Sequence, residues 1–273
     1  MRRSGLGRVC AGALCAVMLT ACGNGAASPE LAEPLSQVFL APSPESGGPL
    51  LLVGRFEVTR IEFGTSTSSK DAELPAAGMT RAEAAAWAAE RGMRLPTRAE
   101  WIHLRVEGGA VSRERGRANT LELGLGRSLP VGAIESGRTG LGGYDFEGNV
   151  SEWLADNVDP GDSAGKDERG ALYAGGSFAT YLVGPREEAL REAGPNDRAS
   201  YVGFRVLAEA LPWLHDQVLP RWRSADADER KTMSACVELW GAELRVQLER
   251  RWRQTYPDET AFAEFLAGKG SRS

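Results

Sequence analysis

The sequence predicts a domain that mixes strands with helices and is followed by a helical extension. The stretch Leu50–Thr59 is apolar and rich in residues that favour strands. Thr80 and Thr97 are each followed three residues later by glutamate, the capping-box pattern that begins a helix. Beyond residue 209, apolar side chains recur at spacings of three and four, as on one face of a helix.

The first residues are typical of an exported lipoprotein. Arginines at positions 2, 3 and 8 precede the apolar run Val9–Met18, which is too short to span a membrane. The following Leu19-Thr20-Ala21-Cys22 resembles a bacterial lipobox. We expect residues 1–21 to be a signal peptide and Cys22 to carry lipid. Residues 22–49 are rich in Ala, Pro, Ser and Gly and are predicted to form a flexible tether.

The charge and the cysteine count argue against a nucleic-acid-binding protein and exclude a disulfide scaffold. The 273 residues carry a net charge of -5, and removal of residues 1–21 leaves 29 basic against 37 acidic side chains, a net charge of -8. Such an acidic surface argues against a nucleic-acid partner. Cys236 is the only cysteine beyond Cys22, so no internal disulfide can form. We expect its thiol to be a small buried hydrophobe.

The stretch Gly142–Trp153 (GGYDFEGNVSEW) concentrates polar groups between aromatic residues. Asp145, Glu147 and Glu152 supply carboxylates, and the glycines permit tight turns that face carbonyl oxygens inward. Such oxygens suit a hard cation such as calcium. The same composition is also typical of a polar turn closed over a tryptophan. The residues alone leave both interpretations open.

Three further segments accompany this stretch along the chain. They are Arg94–Trp101 (RLPTRAEW), Gly175–Phe178 (GGSF) and Gly203–Val206 (GFRV). In their order and spacing, the four segments resemble the formylglycine-generating enzyme, or sulfatase-modifying factor, family. The resemblance covers residues 50–208 and implies an irregular α+β fold related to C-type lectins. Residues 209–273 would then be a helical C-terminal extension.

The resemblance also implies a structural calcium ion in the central stretch. Its ligands would be the side chains of Asp145 and Glu152 and the backbone carbonyls of Gly148 and Val150. All four positions match the family pattern. We expect this ion to fix the loop rather than to perform chemistry.

The oxidase chemistry of the family is not expected in this chain. That activity needs two cysteines that hold copper(I), and the corresponding positions are Thr180 and Pro185. No cysteine occurs anywhere in residues 23–235. A relative that uses non-haem iron draws its histidine ligands from an extra domain, whereas this chain has only His103 and His215. We therefore expect neither copper nor iron as a cofactor.

These expectations favour a non-catalytic binding or scaffold module at the cell envelope. Its peptide groove would include Ser177, Arg191 and Arg205, and its partner would be an envelope protein or peptide. The lipid on Cys22, which is followed by Gly23 rather than aspartate, would hold the protein at the periplasmic face of the outer membrane. The alternative is a divergent enzyme of the family that modifies an exported protein or a small molecule by a copper-independent route.

The C-terminal extension carries one apolar stripe on a predicted helix that ends before Pro257. The stripe consists of Val237, Trp240, Leu244, Leu248 and Trp252. A shorter helix is predicted around Phe262 and Leu266. The stripe fits either a helical hairpin packed on its own domain or an anchor for another envelope protein. Both interpretations remain open from the sequence.

Overall fold

The computed structural model describes residues 35–66, 68, 70–109, 116–158, 170–182 and 189–267. The predicted signal peptide, the lipidation site Cys22 and the first part of the tether lie outside these residues, as does Pro185. Within the described ranges, no helix is both long and apolar enough to cross a bilayer.

The strands are short, and the longest helices follow residue 226. The strands are β1 Val38–Pro42, β2 Leu50–Gly54, β3 Ser151–Asn157, β4 Ala171–Ala174, β5 Leu190–Ala193, β6 Val202–Gly203 and β7 Leu207–Glu209. The helices are α1 Arg60–Phe63, α2 Arg81–Ala89, α3 Arg98–Glu107, α4 Ala210–Trp213, α5 Leu219–Ser224, α6 Ala227–Glu238, α7 Ala242–Thr255 and α8 Ala261–Ala267. A π-helical turn, Leu214–Val218, joins α4 to α5, and 3-10 turns cover Leu121–Leu123 and Glu135–Gly137.

The first sheet pairs antiparallel strands in the order β1-β2-β7. Leu40 lies opposite Leu52, which in turn lies opposite Ala208. This sheet corrects the predicted tether, because β1 lies within the range 22–49 and its first four residues are no more than 3% exposed. The tether was predicted from the average composition of residues 22–49, which does not reveal the short apolar run Val38–Ala41 (VFLA). The side chains of this run are buried on both faces of the sheet.

The two predicted capping boxes are confirmed. They begin at Thr80 and Thr97. In each box the threonine hydroxyl accepts a hydrogen bond from the backbone N–H of the glutamate three residues later. The side chain of that glutamate accepts a hydrogen bond from the threonine N–H. Between α2 and α3, Arg94 exchanges two backbone hydrogen bonds with Leu207, at N···O distances of 2.8 and 2.9 Å. The crossing between these helices therefore pairs with β7.

The second sheet has the order β5-β4-β3-β6, with β3 and β6 parallel and the other pairs antiparallel. Glu152 of β3 lies opposite Ala174 of β4 on one side and Gly203 of β6 on the other. The central stretch leads into β3, the GGSF segment follows β4, and the GFRV segment begins in β6. The sheet thereby brings three of the four family segments together.

The C-terminal helices cover one face of the first sheet. Leu40 and Leu52 pack in a cluster with the buried tryptophans of these helices. Phe39 and Leu51, one residue away along each strand, pack on the opposite face in a cluster that contains Trp101. Because successive side chains of a strand point to opposite faces, this sheet needs a hydrophobic layer on each side. The interpretation that the helices pack on their own domain is confirmed.

The prediction of a single helix for the apolar stripe is wrong. Helix α6 ends at Glu238 and α7 begins at Ala242, so Trp240 lies in the connection between them. Gly241 is the N-cap of α7, and glycine is a poor helix former that favours such a break. Trp240 and Trp252 are each only 1% exposed, so neither side chain is available to anchor another protein.

If the helical layer is part of the domain core, Trp252→Ala should destabilise the whole protein. The Trp252 ring stacks on Phe262 with centroids 3.6 Å apart and is 1% exposed. We expect a loss of about 3–5 kcal/mol in the free energy of unfolding, measured by chemical denaturation. The control is Val246→Ala on the same helix, which is 57% exposed and should change stability by about 0.5 kcal/mol or less. Equal effects of the two substitutions would contradict this role of the layer.

Candidate functional site

The central stretch folds as a loop with repeated left-handed backbone conformations. Asp145 and Asn149 both have φ +56°, the two non-glycine residues with positive φ among the described ranges. Gly148 between them has φ +84°, and a Cβ there would lie 2.6 Å from the backbone oxygen of Asn119. Asp and Asn tolerate this conformation better than other side chains, at a cost of about 1–3 kcal/mol each. The loop is therefore a strained segment held by its surroundings.

A buried ion pair between Glu152 and Arg205 holds the end of this loop. Arg205 donates to Oε1 of Glu152 at 2.7 Å and to Oε2 at 3.2 Å, and Trp101 Nε1 also donates to Oε2 at 2.8 Å. The remaining donors of Arg205 reach the carbonyl oxygens of Gly54 at 2.8 Å and Tyr144 at 2.7 Å. Arg205 is 0% exposed. It is a structural residue, and its assignment to an open groove is corrected.

A second buried carboxylate, Glu57, holds the middle of the loop. Its Oε1 accepts a hydrogen bond from the Val150 N–H at 2.9 Å, and its Oε2 accepts one from Asn149 Nδ2 at 2.7 Å. Sequence reasoning missed Glu57, although one signal was present: it is the only acidic residue of the β-rich stretch Leu50–Thr59. Loss of hydration, together with the negative charges of Asp145 and Glu152, raises the pKa of Glu57 well above its usual value.

Asp145 is the third carboxylate at this loop. One of its oxygens, Oδ2, accepts a hydrogen bond from the Gly132 N–H at 2.7 Å. Loss of hydration raises the pKa of Asp145 from 3.8 to about 6, against the opposing effects of the Gly132 hydrogen bond and the Arg205 charge. Among the described residues, neither Asp145 nor Glu57 forms an ion pair with a basic side chain. The site is therefore short of positive charge.

The residues predicted to hold calcium fit a hard cation in chemistry. Asp145 Oδ1 accepts no hydrogen bond within the described part of the chain, and Glu152 Oε1 accepts one, which leaves it a lone pair. The carbonyls of Gly148 and Val150 likewise accept no backbone hydrogen bond there. In the same ranges, no three His, Cys, Asp or Glu side chains converge as a ligand cluster. A cation here would thus depend on backbone carbonyls as much as on carboxylates.

The match to known proteins covers the central loop, the second sheet and strand β7 of the first sheet. Residues 54–210 match the family described as the sulfatase-modifying factor enzyme 1-like domain. The chain belongs to this family. Formylglycine-generating enzyme from Mus musculus is a relative of the domain, 30% identical over 165 residues, which are 48% of this chain and 43% of the mouse protein. The match thus spans less than half the length of that curated relative.

Solved structures resemble this sulfatase-modifying-factor-like domain in fold. CarF superposes with a TM-score of 0.50 at 19% identity, covering 59% of this chain and 86% of CarF. PvdO from Pseudomonas aeruginosa gives a TM-score of 0.47 at 21% identity, covering 63% of this chain and 90% of PvdO. The likeness to CarF confirms the predicted α+β fold.

The GGSF segment of the domain forms a turn closed by Thr180, one of the two positions at which the resemblance implies a cysteine in the family's oxidases. The Ser177 N–H donates to Thr180 Oγ1 at 2.7 Å, and the Ala179 N–H donates to Ser177 Oγ at 3.2 Å. The Phe178 N–H donates to the Asn149 carbonyl at 3.0 Å, which joins this turn to the central loop. Ser177 is 0% exposed, so its assignment to an open groove is also corrected. Of the three predicted groove residues, Arg191 on β5 is exposed.

Beside this turn the domain exposes four large apolar side chains, which we call the apolar patch. They are Leu121, Leu123, Leu125 and Tyr181, with exposed fractions of 39%, 36%, 44% and 68%. The Leu121 N–H donates to the Thr180 carbonyl at 2.8 Å, and the Leu182 N–H donates to Glu122 Oε1 at 2.9 Å, so the two segments lie together. Sequence reasoning did not identify this patch. The three leucines at alternate positions were the available signal.

The raised pKa of Asp145 predicts that stability in chelator falls as pH rises. The folded domain retains a proton on Asp145 that the unfolded chain releases between about pH 4 and pH 6, because the folded pKa of about 6 exceeds 3.8. We compare the free energy of unfolding of the wild type with that of Asp145→Asn. As the pH rises from about 4 to about 6, the value of the wild type minus that of the variant should decrease by about 3 kcal/mol at most. Denaturation in chelator at a series of pH values measures this difference. A difference that does not change with pH would contradict the assignment.

Proposed function

We propose that this protein is a non-catalytic binding module that uses the apolar patch to hold an extended segment of an exported protein. The observation that carries the proposal is the exposure of four apolar side chains beside the GGSF turn, which Thr180 closes. Exposed apolar clusters on a soluble domain mark contact surfaces. Aromatic anchors such as Tyr181 commonly contribute much of the binding energy at such surfaces.

The absence of thiol chemistry supports a binding role over oxidation. No cysteine occurs in residues 23–235, and Thr180 uses its hydroxyl to close the turn. Copper(I) prefers soft thiolate ligands, which a threonine hydroxyl cannot replace. The chemistry of the matched residues therefore favours retention of the fold for contact rather than for the oxidase reaction.

We further propose that a calcium ion stabilises the loop next to this surface. Asp145, Glu152 and the carbonyls of Gly148 and Val150 would hold it, with Glu152 shared between the ion and Arg205. The ion would neutralise buried carboxylates and fix the loop that receives the Phe178 N–H. Its role would be structural.

The lipid anchor is a separate proposal that rests on the sequence. Cys22 would carry lipid and hold the domain at the periplasmic face of the outer membrane. Radiolabelled fatty acid should be incorporated into the wild-type protein and not into Cys22→Ala, whose product should also remain uncleaved or soluble. Equal labelling of both proteins would contradict the assignment of Cys22.

The second candidate is a divergent enzyme of the family. It is favoured by the 30% identity to a protein named for formylglycine generation. Its substrate would be an exported protein or a small molecule, modified without copper. A metal inventory of the purified protein separates the two candidates, because copper or iron at one ion per chain would favour the enzyme. Calcium alone, reduced by Asp145→Asn, would favour the binding module.

The binding surface is tested with a fluorescent peptide array that varies the number and spacing of apolar residues. We expect Tyr181→Glu to weaken binding of the best apolar peptide by about tenfold or more. The control is Leu239→Glu, which changes a side chain that is 64% exposed outside the apolar patch. Equal loss in both variants, or a preference for peptides without apolar residues, would contradict the proposed surface. A mass change in a bound peptide would instead support the enzyme.

A further inference from the structure

The loop centre holds more negative charge than its arginines neutralise. Its carboxylates are Glu57, Asp145, Glu147 and Glu152. Glu147 pairs with Arg105, and Glu152 pairs with Arg205. Within the described ranges the other two carboxylates have no basic partner. If all four are ionised, two negative charges remain, and burial makes such an excess costly unless a cation compensates it.

A buried polar atom beside the loop also lacks a hydrogen-bond partner within the described part of the chain. The side-chain oxygen Oδ1 of Asn119 is buried and has no hydrogen-bond partner among the described residues, and the residue is 2% exposed. Its Nδ2 donates to Asn149 Oδ1 at 3.1 Å, so it belongs to the same hydrogen-bonded group. Buried acceptors without donors are rare in folded proteins.

Glu57 differs from the other unpaired carboxylate, Asp145, in how its oxygens are used. Each oxygen of Glu57 accepts a hydrogen bond from the loop, one from Val150 and one from Asn149, whereas Asp145 keeps Oδ1 without a donor. The Ser151 N–H is also fixed, through the Tyr201 carbonyl at 2.9 Å. The peptide units on both sides of Val150 are thus held, which fixes the direction of the Val150 carbonyl.

We propose that Glu57 is the residue that makes the loop site selective for a divalent cation. It holds the peptide unit between Asn149 and Val150 and contributes one of the two uncompensated charges, without itself being a ligand. With both charges present, a divalent cation neutralises the centre, whereas a monovalent cation leaves one charge buried. Glu57→Gln removes that charge and retains a side chain of the same size. The inference rests on the calcium loop proposed above.

The test measures calcium binding and stability of the full chain, with CaCl₂ as the only divalent salt and NaCl as the competing salt. We expect Glu57→Gln to weaken calcium binding by about 10–100-fold in titration calorimetry, as for outer residues that support metal ligands. The same variant should lose less stability than the wild type when calcium is replaced by chelator. In chelator it should be slightly less stable than the wild type, because its amide nitrogen cannot accept one of the two hydrogen bonds that the Glu57 carboxylate accepts.

Two further variants make the outcomes distinct. Glu57→Asp keeps the charge and should bind calcium more tightly than Glu57→Gln, whereas Glu90→Gln, a change of an exposed residue, should leave binding unchanged. Equal destabilisation of Glu57→Gln in calcium and in chelator would assign Glu57 a merely structural role and overturn the inference. Wild-type affinity in Glu57→Gln would overturn it too, while the calcium loop would stand. A wild-type protein that binds no calcium would overturn both.

Discussion

The buried ion pair between Arg205 and Glu152 is the interaction on which the rest of the site depends. The Arg205 guanidinium joins the end of β2, the central loop and β3, through Gly54, Tyr144 and Glu152. Because both charged groups are at most 1% exposed, each donor and acceptor must find a protein partner. This requirement fixes where the first sheet, the second sheet and the loop meet, and it leaves little freedom for any of them to move alone.

Around this pair, the loop combines strain with uncompensated charge. The left-handed Asp145 and Asn149, together with the unpaired Glu57, would be unfavourable if each stood alone. They persist because the Glu57 hydrogen bonds, the Arg205 contacts and the GGSF turn determine the backbone path from several sides. A cation in this loop would complete the charge balance. The nearby apolar patch lies on segments joined to the same turn, so the order of the loop and the shape of the surface are connected.

The C-terminal helices serve the fold in a different way. The first sheet has apolar side chains on both faces, and the family domain covers one of them with the cluster around Trp101. The helices cover the other with their tryptophans. An extension that follows the matched residues 54–210 is therefore part of the hydrophobic core of this protein. The same reasoning explains β1, which precedes the matched residues and pairs with β2.

The sequence by itself determined the features that depend on neighbouring residues or on local motifs. The sequence determined that helices begin at Thr80 and Thr97. Its four ordered segments identified the family and the fold. It also showed that position 180 holds a threonine and not a cysteine. Only the tertiary structure decided that Arg205 and Ser177 are buried supports and that Glu57 holds the loop. It also decided that the segment after residue 120 lies beside Thr180. The physical reason is distance along the chain: Glu57 and Asn149 are 92 residues apart, and Arg205 and Gly54 are 151 apart. Contacts of that separation leave no local pattern, so folding alone brings the charges, carbonyls and apolar side chains of the site together.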